Sequence, residues 1–175
     1  MFDVLGTEGA SRPEAWHPVI RDVHAYWLSI HPAAGGLPGR QHVDPCAIPH
    51  LLPHLFLVDV ERPPLRFRYR LVGTAFVELM GCDRTGCYLD EVHPGFHGEV
   101  RRHYVDAVEQ RRPVYRKGRA IFSVEAKRFL GMERILVPLA ANGTDVDMIL
   151  GGIVYIPATA RPAARQIIGA AHRSG

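Results

Sequence analysis

The sequence predicts an α+β fold built on a five-stranded antiparallel sheet, with helices packed on it and an amphipathic helix near the N-terminus. Three observations predict it. Phe67, Tyr69 and Leu71 alternate with Arg66, Arg68 and Arg70, the period-two pattern of a strand with one buried and one wet face. Gly73-Thr74 then ends that strand, and Ala75, Phe76, Leu79 and Met80 make a short helical stripe closed by Gly81. Farther on come three strand-like runs, the last two joined by Asn142-Gly143, a dipeptide suited to the positive φ angles of a tight hairpin.

The elements follow in order. The first ten residues are expected to be disordered. Ser11-Arg12-Pro13-Glu14 reads as a capping box with proline in the first turn. Behind it Val19, Val23, Tyr26 and Ile30 recur at helical spacing, flanked by Trp16, Ile20 and Trp27, so an amphipathic helix runs up to His31-Pro32. Residues 33–39 form a glycine-proline linker, and Asp44-Pro45 starts a helix that Pro49 and Pro53 keep short. Phe56–Val60 and Phe67–Val72 are hairpin strands about an Arg62-Pro63-Pro64 turn. In the segment Gly81–Gly86, Asp83 and Thr85 are read as groups that bond the turn's own backbone. His97–Gln110 is the longer helix, with Val100, Tyr104, Ala107 and Val108 on one face. Strands are then expected over Val114–Phe122, Arg128–Leu139 and Asp147–Ile156.

The last two strands contain consecutive apolar residues, Ile135 to Val137, Met148 to Leu150 and Ile153 to Ile156, where a half-wet strand would alternate. They are therefore expected to be covered on both faces. The helices between residues 40 and 110 cover one face. The N-terminal helix, or a second copy of the chain, is the expected cover for the other.

Bulk properties narrow the function. At 175 residues the chain can bury a core without staples, and its formal charge of +3 is too mild to imply nucleic acid. Three cysteines, an odd number, speak against a disulfide framework and for a reducing cytoplasm. There is no signal-peptide pattern and no apolar run of membrane-spanning length, so no membrane partner is expected.

The element order, together with Leu37-Pro38-Gly39-Arg40, Leu52-Pro53-His54-Leu55, Tyr69-Arg70-Leu71-Val72-Gly73-Thr74, Gly81-Cys82-Asp83-Arg84-Thr85-Gly86 and Glu133-Arg134-Ile135-Leu136-Val137-Pro138-Leu139, resembles the PAS_5 family of stand-alone bacterial PAS proteins, alphaproteobacterial in type. The resemblance implies a PAS-like domain over residues 37–157, with an N-terminal extension over 1–36 and a C-terminal tail or short helix over 158–175. It implies a sensory or interaction module with helices on the concave face of the sheet. It carries over no ligand and no functional residue.

In such a fold the pocket lies between the concave sheet face and the helices. The residues expected to line it or fix a ligand in it are Tyr69, Phe76, Met80, His103, Tyr104 and Arg134. Against that stands the plainer reading of Tyr69 and Tyr104 as core residues with satisfied hydroxyls. His103 is the histidine weighed as a haem ligand, and the reactive-cysteine motif of flavin-binding PAS domains is absent, so the cofactor is left unknown. His50, His54, His93 and His97 read as turn and surface histidines, because no further ligands stand at zinc spacing. No nucleophile elbow or phosphate loop supports an enzyme, and no catalytic residue is assigned. Arg101, Arg102, Arg111, Arg112, Arg116, Lys117 and Arg119 read as a solvated mixed-charge face.

The expected function is therefore a non-enzymatic cytoplasmic sensor. It binds an unidentified small molecule and signals by contact, as a homodimer or with a signalling partner, since no kinase, cyclase or DNA-binding segment is recognised. The competing expectation is a ligand-free adaptor that docks through the sheet and N-terminal helix.

Overall fold

The computed structural model describes residues 5–6, 12–93, 97–119 and 131–156. Four helices and six strands are named here in chain order: β1 (Leu5–Gly6), α1 (Pro18–Ser29), β2 (Leu55–Glu61), β3 (Arg66–Val72), α2 (Thr74–Met80), α3 (Leu89–Val92), α4 (His97–Gln110), β4 (Val114–Arg119), β5 (Gly131–Leu139) and β6 (Met148–Ile156). The strands form one sheet in the order β1-β4-β5-β6-β2-β3. β2 to β6 pair antiparallel and constitute the expected five-stranded PAS-like sheet. Leu5–Gly6, expected to be disordered, instead pairs parallel with Val114–Tyr115 at the sheet edge. Ser11 of the expected capping box, residues 120–122 and 128–130 of the expected strands, and the tail from residue 157 lie outside the described residues.

The sheet is covered on both faces, as the consecutive apolar runs require. α1 packs across β5 and β6 on one side, and α4 lies against β4 and β5 on the other. The helix begins later than the capping-box reading placed it. Pro13–Ala15 is a separate single turn, and His17 caps α1, its Nδ1 accepting from the Val19 amide at 3.3 Å, with Pro18 in the first turn. The inward stripe is Ile20, Val23, His24 and Trp27 rather than Val19, Val23, Tyr26 and Ile30, so the helix is rotated from the expected face with Val23 common to both. The reason lies at its ends. Trp16 stacks flat on Tyr115 with ring centroids 4.5 Å apart, and the Trp27 indole donates to the Pro138 carbonyl at 2.9 Å. Both contacts turn the tryptophan side toward the sheet.

Glu133 holds the start of this layer. It is almost wholly buried, accepts from the His17 amide at 2.6 Å and pairs with Lys117 at 2.7 Å. Burial alone would raise its pKa, but the bonds from Lys117, His17 and Tyr115 outweigh it and hold the carboxylate below its ordinary range.

Two local expectations are corrected. Leu71 is 48 % exposed, although strict alternation would bury it with Phe67 and Tyr69. The register shifts between Leu57 and Val58, which pair with Leu71 and Tyr69, so Arg70 is an extra residue in the strand. A bulge of this kind reverses the alternation beyond it. The second correction concerns residues 140–147. They are not a two-residue hairpin turn, because Gly143 has φ 78° while Asn142 does not share the positive φ such a turn needs. Asn142 Oδ1 instead accepts from the Thr144 and Asp145 amides at 2.9 and 2.8 Å. The loop is wide because the linker docks on it, with Leu37 N bonded to Gly143 O and Ala140 N bonded to Pro38 O, both at 2.9 Å.

The Gly81–Gly86 turn behaves as its composition predicts. Gly81 ends α2 in the left-handed region at φ 76°, and Asp83 Oδ1 accepts from the Thr85 amide and hydroxyl at 2.8 and 2.7 Å. Those bonds favour the carboxylate and lower its pKa. Among the described residues no helix is long and apolar enough to cross a membrane.

Candidate functional site

Side-chain parity along the central strands decides what faces the helices. On β5, Glu133 faces the α1 layer, so Met132 and Arg134 point to the opposite, concave side. On β4, Tyr115 stacks under Trp16, and Arg116 therefore points the other way, directly across from Arg134. The expected basic face is thus divided. Lys117 goes to Glu133 on one side of the sheet, while Arg116 enters the concave side and pairs with Glu99 at 2.8 Å.

The cavity on that side is lined by Phe56 from β2, Tyr69 from β3, Phe76 from α2, His93 after α3, Val100 and Tyr104 from α4, Arg116 from β4, Met132 and Arg134 from β5, and Ile153 and Tyr155 from β6. It measures about 390 Å³ with its open mouth included. The walls are mainly rings. Phe56, Tyr69 and Phe76 lie 5.9–6.0 Å from one another, and Tyr155 lies 6.5 Å from Phe76. The Tyr69 and Tyr104 hydroxyls meet at 3.4 Å. Burial, then their mutual proximity, drives the Tyr69 pKa far up, and burial raises that of Tyr104, so both stay protonated and able to donate.

Arg134 is 6 % exposed. Its guanidinium lies 5.3 Å from the Tyr104 ring centroid and 3.0 Å from His103 Nδ1. Burial, with the nearby charges of Arg134, Arg116 and Arg102, lowers the His103 pKa to about 4. The imidazole is therefore neutral at pH 7 and accepts from the guanidinium.

Four of the six expected residues, Tyr69, Phe76, Tyr104 and Arg134, line the cavity. His103 stands beside it, touching Arg134 rather than lining the space. Met80 packs at the rim of the core and does not line it. Sequence reasoning missed Phe56, His93, Val100, Arg116, Met132, Ile153 and Tyr155. For Arg116 a signal existed, since period two along Val114–Arg119 separates it from Lys117. A haem ligand would need a histidine facing a wide apolar cavity. His103 does not fit that role, with its Nδ1 held by Arg134 beside a narrow space. Among the described residues no three His, Cys, Asp or Glu side chains cluster as a metal site.

The His103 environment sets an acid response. Its ordinary pKa is 6.5 and its folded value is about 4, so between these the unfolded chain binds the proton more readily. Stability is then full above about pH 7 and falls as pH drops from there toward 4. Burial lowers the His24 pKa and adds in the same direction. Melting temperature measured from pH 7.5 to 4.5 should fall, and His103→Gln should flatten the fall. An unchanged slope in that variant would rule out the neutral imidazole.

Comparison with known proteins completes the description. A family model, PAS_5, described as a PAS domain, matches residues 15–154. The PAS domain of BvgS from Bordetella pertussis is similar at 18 % identity, over 66 % of this chain and 84 % of that one, with TM-score 0.49. The LOV protein of Rhodobacter sphaeroides is similar at 16 % identity, over 65 % and 68 %, with TM-score 0.46. No curated protein matches. The family match runs from α1 through β6 and takes in both layers that sandwich the sheet: the chain belongs to the PAS_5 family of PAS domains.

Proposed function

We propose that the protein is a non-enzymatic sensory module. It binds a small molecule in the ring-lined cavity and passes the state of that cavity to another chain by contact through α1 and the sheet. PAS domains are in general sensory and regulatory modules, which supplies the class. The observation that carries the reading is the cavity itself, a concave, largely aromatic space into which two tyrosine hydroxyls and two guanidinium groups converge. The receiver is a second copy or a signalling protein, and the setting is the cytoplasm. That setting suits Cys46, Cys82 and Cys87, which are all unpaired.

The adaptor reading draws less support. It docks through the sheet and N-terminal helix as the sensor does, but it calls for a side-chain-filled interior, whereas the concave side of the sheet holds a ring-lined cavity.

The test is a melting-temperature screen against metabolites, beside denaturing mass spectrometry of the purified protein. A stabilising compound should lose its effect in Met132→Phe, which narrows the cavity, and should change hydrogen exchange in α1. A compound that works equally on the filled variant binds elsewhere. If no compound binds and none co-purifies, the sensor reading fails.

A further inference from the structure

Arg134 is a buried cation with no counter-charge among the described residues. Among the described residues no carboxylate pairs with it, and its polar contact is the uncharged His103 nitrogen at 3.0 Å. The Tyr104 ring contributes a quadrupole and no net charge. Directly across the strand pair stands a second cation, Arg116, whose charge is matched by Glu99 at 2.8 Å. Like charges facing each other on neighbouring strands are unfavourable, and a buried guanidinium with no carboxylate beside it is more so. Among the described residues, one positive charge in the cavity wall is left over.

Resting on the reading of this cavity as a ligand site, we propose that the ligand is a small monoanionic carboxylate with a planar, unsaturated body. Its carboxylate supplies the missing partner of Arg134, in the forked geometry that a guanidinium offers. Tyr69 and Tyr104, protonated and 3.4 Å apart at their hydroxyls, are donors to the same group. The planar body follows from the wall. Phe56, Phe76 and Tyr155 present ring faces and edges at the spacing that aromatic pairs adopt. A single net charge argues against a nucleotide or other polyanion, because Glu99 already neutralises Arg116 and would repel further negative charge.

The test measures melting temperature with benzoate and with indole-3-acetate, each against its uncharged amide, and with inorganic phosphate. It uses the full chain and two variants, Arg134→Met and Arg134→Lys. At least one carboxylate should raise the melting temperature by about 3 °C or more at saturation, with its amide and phosphate doing little. Arg134→Met should lose that response and, freed of an unpaired buried cation, melt at or above the wild-type temperature without ligand. Arg134→Lys should keep a reduced response.

Other outcomes overturn the proposal. Equal shifts from acid and amide would mean that the cavity takes rings without reading charge, leaving the sensor reading intact. A phosphate shift matching the carboxylates would mean a simple anion site. A large drop in the ligand-free stability of Arg134→Met would make Arg134 a structural residue. No shift with any probe would overturn the carboxylate class, and the sensor reading then stands or falls on co-purified ligand and the wider screen.

Discussion

Trp27→Ala should destabilise the protein by about 3–5 kcal/mol, the usual cost of deleting a buried large aromatic. That lowers the melting temperature by roughly 10 °C in a domain of this size. The side chain is wholly buried between α1 and the sheet, and its indole bonds the Pro138 carbonyl at 2.9 Å. Truncation removes the packing, leaves a cavity and strips that carbonyl of its donor. Trp27→Phe should recover part of the loss by restoring ring volume without the hydrogen bond. Denaturant unfolding followed by the fluorescence of Trp16 measures both. Removing residues 1–32 is the stronger form of the same change and should leave an aggregating protein, because the faces of β5 and β6 under α1 are apolar. A soluble, folded remainder, or a Trp27→Ala protein that melts like wild type, would show that α1 is an appendage rather than a layer of the core.

Gly73→Ala should cost about 3 kcal/mol, at the upper end for overpacking, for a reason unrelated to φ. A Cβ at this position would collide with the backbone carbonyl oxygens of Leu52, Pro53 and Leu55 at once. Carbonyls fixed in a turn and a strand end cannot swing aside as a flexible side chain can. The Gly73 amide also bonds Leu55 O at 2.7 Å, so backbone movement that relieves the clash breaks a hydrogen bond. Gly81→Ala is the informative control. Gly81 has open space around it and a φ of 76°, so its cost is conformational, about 1–2 kcal/mol. If Gly73→Ala proves no worse than Gly81→Ala, the close approach of the chain before β2 to the end of β3 is looser than described.

Much of the fold was legible because its signals are local. Alternation in Arg66–Val72, the helical stripe of His97–Gln110 and the double-sided apolar runs of β5 and β6 each depend on a few neighbouring residues. Together they placed the five antiparallel strands along the chain. The failures are non-local. Leu71 reads as buried until the extra residue at Arg70 is known, and that bulge is visible only in the pairing with Leu57 and Val58. Asn142-Gly143 reads as a tight turn until residues 36–38 are seen bonded to its loop. The face of α1 was misjudged because its rotation is set by partners on β4 and β5, not by its own periodicity.

The same limit applies to the cavity. Tyr69, Phe76 and Tyr104 were legible as the inner residues of patterned elements, and Arg134 as a charge in an apolar strand. Met132, Ile153 and Tyr155 were hidden because a strand buried on both faces shows no alternation from which to choose a side. Met80 shares the stripe of Phe76, but it is the last residue of α2 and falls at the rim.

Gly151 and Gly152, at the middle of β6, have one further consequence. A Cβ on Gly151 would strike the Phe56 ring on the concave side, and one on Gly152 would lie 2.9 Å from Val23 Cγ2 of α1. At this point the partition between the ring-lined cavity and the outer helix is a single thickness of main chain, with no side chain of its own to act as cushion. Elsewhere a shift in one layer is absorbed by rotamers before it reaches the other. Here a displaced Phe56 bears on the same strip of backbone that seats Val23, and the two compartments share a wall rather than facing each other across a core.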